Sequence, residues 1–219
     1  MQNMLKKALL SLLALLVSLA VFSPKAVRTI PHLFYSDTSF NVVSGSSMSP
    51  TLNDKQQIPI KTGCEAFDRG DIVVLTLPEA GYQFTSVKEP MQIVKRIIGL
   101  PGETVDISSD HTVRINGEIL DEPYLTEAAK NATYVPGMEN HFELAEHMYF
   151  VAGDNRTNSC DSRYFGSVEF DAIIGVFDPD LPDFQTLIWD TLLLLIGTFV
   201  LYDILSKVLF FLFLRESHT

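Results

Sequence analysis

Val113-Arg114-Ile115-Asn116-Gly117-Glu118-Ile119-Leu120 sets an Asn-Gly pair between two short runs rich in apolar residues. Such a pair tolerates the positive φ that a two-residue type I′ turn needs at both central positions, so the segment predicts a β-hairpin. Working outward, Gln92 to Ile98 is a β-branched run closed by Gly99-Leu100-Pro101-Gly102, and Asp71 to Leu77 is another, opened by the turn Arg69-Gly70. His147 to Ala152 reads as a further strand. Between these runs no stretch has a sustained helical period, apart from a short turn near Leu125 to Lys130. The expected fold class is mainly β, an antiparallel β domain.

Composition bounds what that domain can be. With 219 residues, 47% of them hydrophobic, the chain has room for one sizeable core plus membrane segments, but not for two large domains. A formal net charge of -11 argues against nucleic acid as a partner, which calls for clustered Lys and Arg. Cys64 and Cys160 lie far apart with no C-x-x-C spacing, so neither a metal cage nor a dense disulfide framework is expected. The spacing leaves their pairing open, and two free thiols are the preferred reading.

The two ends differ from the middle. Lys6 and Lys7 precede an apolar run from Ala8 to Phe22, closed by Pro24 and Lys25. Residues 1–25 are read as an N-terminal transmembrane anchor, against the alternative of a cleaved signal peptide suggested by the small-x-small spacing of Ser18 and Ala20. Continuation of the run through Val21 and Phe22 favours the anchor. At the other end, residues 186–214 are read as a C-terminal transmembrane helix in which Asp203 and Lys207, four apart, can pair and lower each other's cost in lipid. The alternative there is an amphipathic helix lying on the membrane surface. The expected layout is thus an antiparallel β domain over 26–183 flanked by N-terminal and C-terminal membrane helices.

Chemistry enters through three segments of the central region. Ser44-Gly45-Ser46-Ser47-Met48-Ser49-Pro50-Thr51-Leu52 has little bulk and little helix propensity, which suits an ordered loop that another chain can approach. A serine there becomes a nucleophile only if a base takes its proton. Side chains alternate along Gln92 to Ile98, putting Lys95 with Ile93 and Ile97 on one face and Arg96 with Val94 and Ile98 on the other. Lysine in water has a pKa of about 10.4, but burial can lower it by about 3 to 5 units, and arginine cannot be deprotonated this way. Alone, the strand suits a surface Lys-Arg pair equally well. The third segment, Gly153-Asp154-Asn155-Arg156-Thr157-Asn158-Ser159-Cys160-Asp161-Ser162-Arg163, is polar enough to form a rigid hydrogen-bonded loop or a solvated turn. Asp161 and Arg163 could pair, and Ser159 could orient a neutral lysine amine.

In that order, S-G-S-S-M-S-P-T-L at 44–52, R-G-D-I-V-V at 69–74, K-R-I-I-G-L-P-G-E at 95–103 and G-D-N-R-T-N-S-C-D-S-R at 153–163 resemble the motifs of type I signal peptidases, membrane-bound serine proteases with a Ser/Lys dyad. The resemblance implies Ser47 as nucleophile, Lys95 as general base and later general acid, and Ser159, Asp161 and Arg163 as support. The oxyanion would be met by the Ser47 N–H and by a second donor, Ser46 or Ser44, because Gly45 stands where some family members carry a serine. It also implies no metal or cofactor. The expected substrates are secretory preproteins with small residues at the first and third positions before the cut, added as an extended strand and cleaved at the outer face of the cytoplasmic membrane. Membrane lipid is the other expected partner. Rival readings are a dedicated conjugation or pilin-processing peptidase of the same class, a relative of the self-cleaving SOS repressors, and a non-catalytic membrane-tethered β-domain.

Overall fold

The computed structural model describes residues 37–85 and 89–181, and positions 188, 189, 191–193, 195–200, 202, 203 and 207. Eleven strands follow one another along the described chain: β1 (Thr38–Val42), β2 (Gln57–Thr62), β3 (Ile72–Thr76), β4 (Gln92–Gly99), β5 (Thr104–Ile107), β6 (Val113–Ile115), β7 (Glu118–Ile119), β8 (His141–Glu143), β9 (Met148–Ala152), β10 (Val168–Glu169) and β11 (Ile173–Phe177). Single-turn helices α1 (Glu127–Lys130) and α2 (Ser162–Phe165) interrupt them. All strand pairings are antiparallel. The expected hairpin is β6–β7, with φ of 51° at Asn116 and 87° at Gly117.

One sheet of seven strands runs in the order β1-β2-β11-β3-β4-β9-β10, and a second of four in the order β7-β6-β5-β8. β4 lies inside the larger sheet and its alternation is the one read from sequence. Ile93 and Ile97 join Val73, Leu75 and Val151 in one apolar cluster, while Val94 packs on the opposite side against a second cluster containing Val43, Met48, Ile58 and Ile60. A register shift between Ile97 and Gly99 turns Ile98 into a third cluster with Phe150 and Val105, which joins the two sheets. Pairing with β9 covers Arg96 to Gly99 only, so the β4 edge at 92–95 carries no strand partner among the described residues.

Residues 180–219 form a separate unit. Its described positions from 188 onward are helical, and Lys207 Nζ lies 2.5 Å from Asp203 Oδ2, as the four-residue spacing suggested. Among the described residues no helix is long and apolar enough to cross a membrane. The segment 1–25 lies outside the described residues, and 186–214 does so in part.

Candidate active site

Two buried apolar side chains hold the serine loop in place. Met48 and Leu52, each 1% exposed, plug the cluster under β2 and β3, and the Leu52 N–H donates to Met48 O at 2.9 Å. With Met48 fixed, Ser47 is fixed beside it. From the other side the Asn155 N–H donates to Ser47 O at 3.0 Å, and the Asn155 and Asn158 amides donate to Ser46 O and Ser46 Oγ at 3.1 and 3.0 Å. These asparagines clamp the loop, a role the sequence reading did not assign.

Lys95, 3% exposed on β4, donates to Ser47 Oγ at 2.9 Å and to Val94 O at 2.9 Å. Burial lowers its pKa to about 8; the Asp161 carboxylate opposes that shift and the Arg163 guanidinium adds to it. The serine and the lysine singled out from sequence are therefore in direct contact.

Supporting charges lie in a connected buried network. Asp161 is fully buried; burial alone would raise its pKa, but Arg163, bonded at 2.7 and 2.9 Å, holds the carboxyl below the ordinary range. Asp161 Oδ2 also accepts from the Gly153 N–H at 2.9 Å. Ser159 Oγ is buried and lacks a hydrogen bond of ordinary geometry, although it lies close enough to Asp161 to favour that carboxylate. The bonds of Lys95 go to Ser47 and Val94 rather than to Ser159.

Further residues belong to this network that have no role in the sequence analysis. Asp154 accepts from Arg96 at 2.8 and 2.7 Å and from Thr51 Oγ1 at 2.5 Å, tying the serine loop to the strand beside Lys95. Arg96 lies over the Tyr124 ring, 4.1 Å from its centroid. Arg156 pairs with Glu122 out of solvent and donates to Thr133 Oγ1 at 3.1 Å and Gly153 O at 3.0 Å. Asp154 and Arg156 stood in a quoted motif, but Glu122 carried no local signal.

The oxyanion candidates Ser44, Ser46 and Ser47 all line the cleft beside Lys95. The Gly45 N–H donates to Asp54 Oδ1 at 2.8 Å. Ser46 Oγ accepts from Asn158, which leaves its own proton free to donate. The Ser47 N–H makes no hydrogen bond among the described residues. The cleft, of about 370 Å³, is walled by residues 41–47 and 91–95. Cys160 lines it too, a free thiol whose pKa burial pushes up; Cys64 is also free. Among the described residues no group of three or more His, Cys, Asp or Glu side chains is placed to hold a metal ion.

An antiparallel β domain with a serine bonded to a buried lysine of lowered pKa is the arrangement of one class, the serine peptidases. Comparison with known proteins gives the family: the model described as "Signal peptidase, peptidase S26" matches residues 7–179, and the chain belongs to that family. It is 40% identical over 130 residues to signal peptidase I S of Bacillus subtilis (strain 168), covering 56% of this chain and 64% of that protein. Against signal peptidase I U of the same strain the identity is 36% over 156 residues, covering 68% and 76%. The match thus spans less than two thirds of the first relative and more of the second. A crystal structure of a signal peptidase I from Enterococcus faecalis is 36% identical, with a TM-score of 0.38, covering 53% of this chain and all of that one.

Proposed function

We propose that the chain is a signal peptidase I, an endopeptidase that removes signal peptides from secretory preproteins, with Ser47 as nucleophile and Lys95 as general base. The observation that carries this reading is the 2.9 Å contact between Lys95 Nζ and Ser47 Oγ, made by a lysine that burial has brought to a pKa of about 8. Once the ammonium has lost a proton, one N–H of the neutral amine remains on Val94 O and its lone pair faces the Ser47 hydroxyl. Ser47 Oγ attacks the scissile carbonyl and its proton passes to Lys95. The Ser47 N–H, with Ser46 or Ser44 as second donor, meets the developing oxyanion. Collapse breaks the C–N bond, and Lys95 returns the proton to the departing amine. Water then attacks the acyl-enzyme with Lys95 again as base, releasing the new carboxylate and restoring Ser47.

The open β4 edge at 92–95 and the outer edge of β1 face one cleft, which suits an extended peptide lying between them. Substrates with small residues at the first and third positions before the cut fit this reading. Residues 1–25 would anchor the chain and 186–214 would form a second membrane helix. The domain 26–183 would then work on the extracytoplasmic side of the cytoplasmic membrane, where a preprotein's own apolar segment ends. Ser159 would turn to orient the neutral Lys95 amine, with Asp161 and Arg163 as structural support. Incubating membranes carrying wild type, Ser47→Ala or Lys95→Arg with several preproteins tests the reading. Cleavage of the panel by wild type alone supports it, and near-normal cleavage by Ser47→Ala refutes it.

A further inference from the structure

Asn41 Nδ2 donates to Gln92 Oε1 at 2.8 Å, across a gap between two strands that are not neighbours in the sheet. Asn41 stands on β1, Gln92 on β4, and both line the cleft that holds Ser47 and Lys95. The dyad and the two bridged amides thus line the same cleft. Gln92 precedes Lys95 by three strand positions, roughly 10 Å at about 3.3 Å per residue. An extended peptide with its scissile carbonyl at Ser47 therefore reaches the bridge after about three residues.

We propose that Asn41 and Gln92 are substrate-binding residues: a peptide extending beyond the third residue before the cut displaces their mutual bond and takes both amides onto its main chain. This rests on reading the cleft as the site of an extended peptide. Each primary amide offers two donors and an acceptor oxygen. The mutual bond uses one donor of Asn41 and the oxygen of Gln92, so its displacement frees Asn41 Nδ2 for a C=O and Gln92 Oε1 for an N–H of an incoming strand. Neither amide titrates, so the exchange is independent of pH. A shorter peptide never reaches the pair.

The test compares peptides with three and with six residues before the cut, using wild type, Asn41→Ala and Gln92→Ala. Gln92 is exposed and Asn41 half-exposed, so neither change threatens the fold. For the six-residue peptide each variant is expected to raise KM about three- to tenfold with kcat unchanged. For the three-residue peptide all three proteins should behave alike. A KM rise of equal size for both lengths, no rise, or a fall in KM for the longer peptide on substitution overturns the proposal. Ser47→Ala is run alongside. Cleavage that survives it overturns the peptidase reading itself, whereas Ser47-dependent cleavage with no length effect overturns only this inference.

Discussion

Gly153 lies directly against Ser47: a Cβ added to Gly153 would stand 2.5 Å from the Ser47 carbonyl oxygen and closer still to Ser159 Oγ. That carbonyl is held on the same side by the Asn155 N–H, so the backbone of the serine loop rests on the backbone that follows β9. Glycine is required here by close approach. Gly153→Ala should displace Ser47 from Lys95, and a shift approaching 1 Å at a reacting group costs about 100-fold in rate. Far-ultraviolet circular dichroism should remain that of wild type while kcat falls by about that factor. Wild-type turnover would show that the loop has slack.

Removing one member of a buried ion pair leaves a bare charge. Arg163→Ala would strip Asp161 of its partner, and the expected loss is about 3 to 5 kcal/mol in chemical denaturation. The pH sign follows from the depressed Asp161 pKa. Its contribution is present above the unfolded carboxyl value of about 3.9 and is lost as pH falls through the lower folded value. Acid unfolding of Arg163→Ala should therefore begin at higher pH than that of wild type. Coincident acid transitions would dissociate Asp161 from the stability of the fold.

Much of this was legible in sequence, for a reason visible in the elements. β3, β4, β9 and the β6–β7 hairpin are β-branched or turn-marked, and a local pattern suffices to find them. β2 was missed because Pro59 sits inside it, and proline ordinarily argues against a strand interior. β8 has only three residues, and both β8 and β11 pair with strands far back along the chain. The same division runs through the site. Ser47, Lys95, Asp161 and Arg163 stand in compact motifs, and the structure brings Lys95 to Ser47 and Arg163 to Asp161. Glu122, which pairs with Arg156 from the distant segment before α1, has no local pattern to mark it.

The buried, poorly bonded hydroxyl of Ser159 is poised beside Asp161 and the Ser47 loop. If it turns to the Lys95 amine as the proton moves, Ser159→Ala should lower kcat by about tenfold and leave KM nearly unchanged. Its effect should also be smaller than that of Ser47→Ala. A silent Ser159→Ala would reduce this hydroxyl to packing.

The last prediction concerns what lowers the pKa of Lys95. With a folded pKa of about 8, kcat/KM should rise with pH through about 8, because only the free amine accepts the Ser47 proton. The same depression disfavours the folded state below that pH: the unfolded chain binds the extra proton between about 8 and 10.5, so stability should rise with pH across that window. At about 1.4 kcal/mol per unit the penalty at neutral pH is about 3 kcal/mol, and Lys95→Met, inactive but apolar, should be more stable at pH 7 by up to that amount. Since burial is the largest cause, the shift should respond to the neighbours on the lysine's own face. Ile93→Thr is expected to admit water beside Lys95 and move the pH profile to higher pH, whereas Val94→Thr, on the opposite face in another cluster, should move it far less. Equal displacement by both variants, or none by either, would mean that something other than the apolar face of β4 sets the acidity of Lys95.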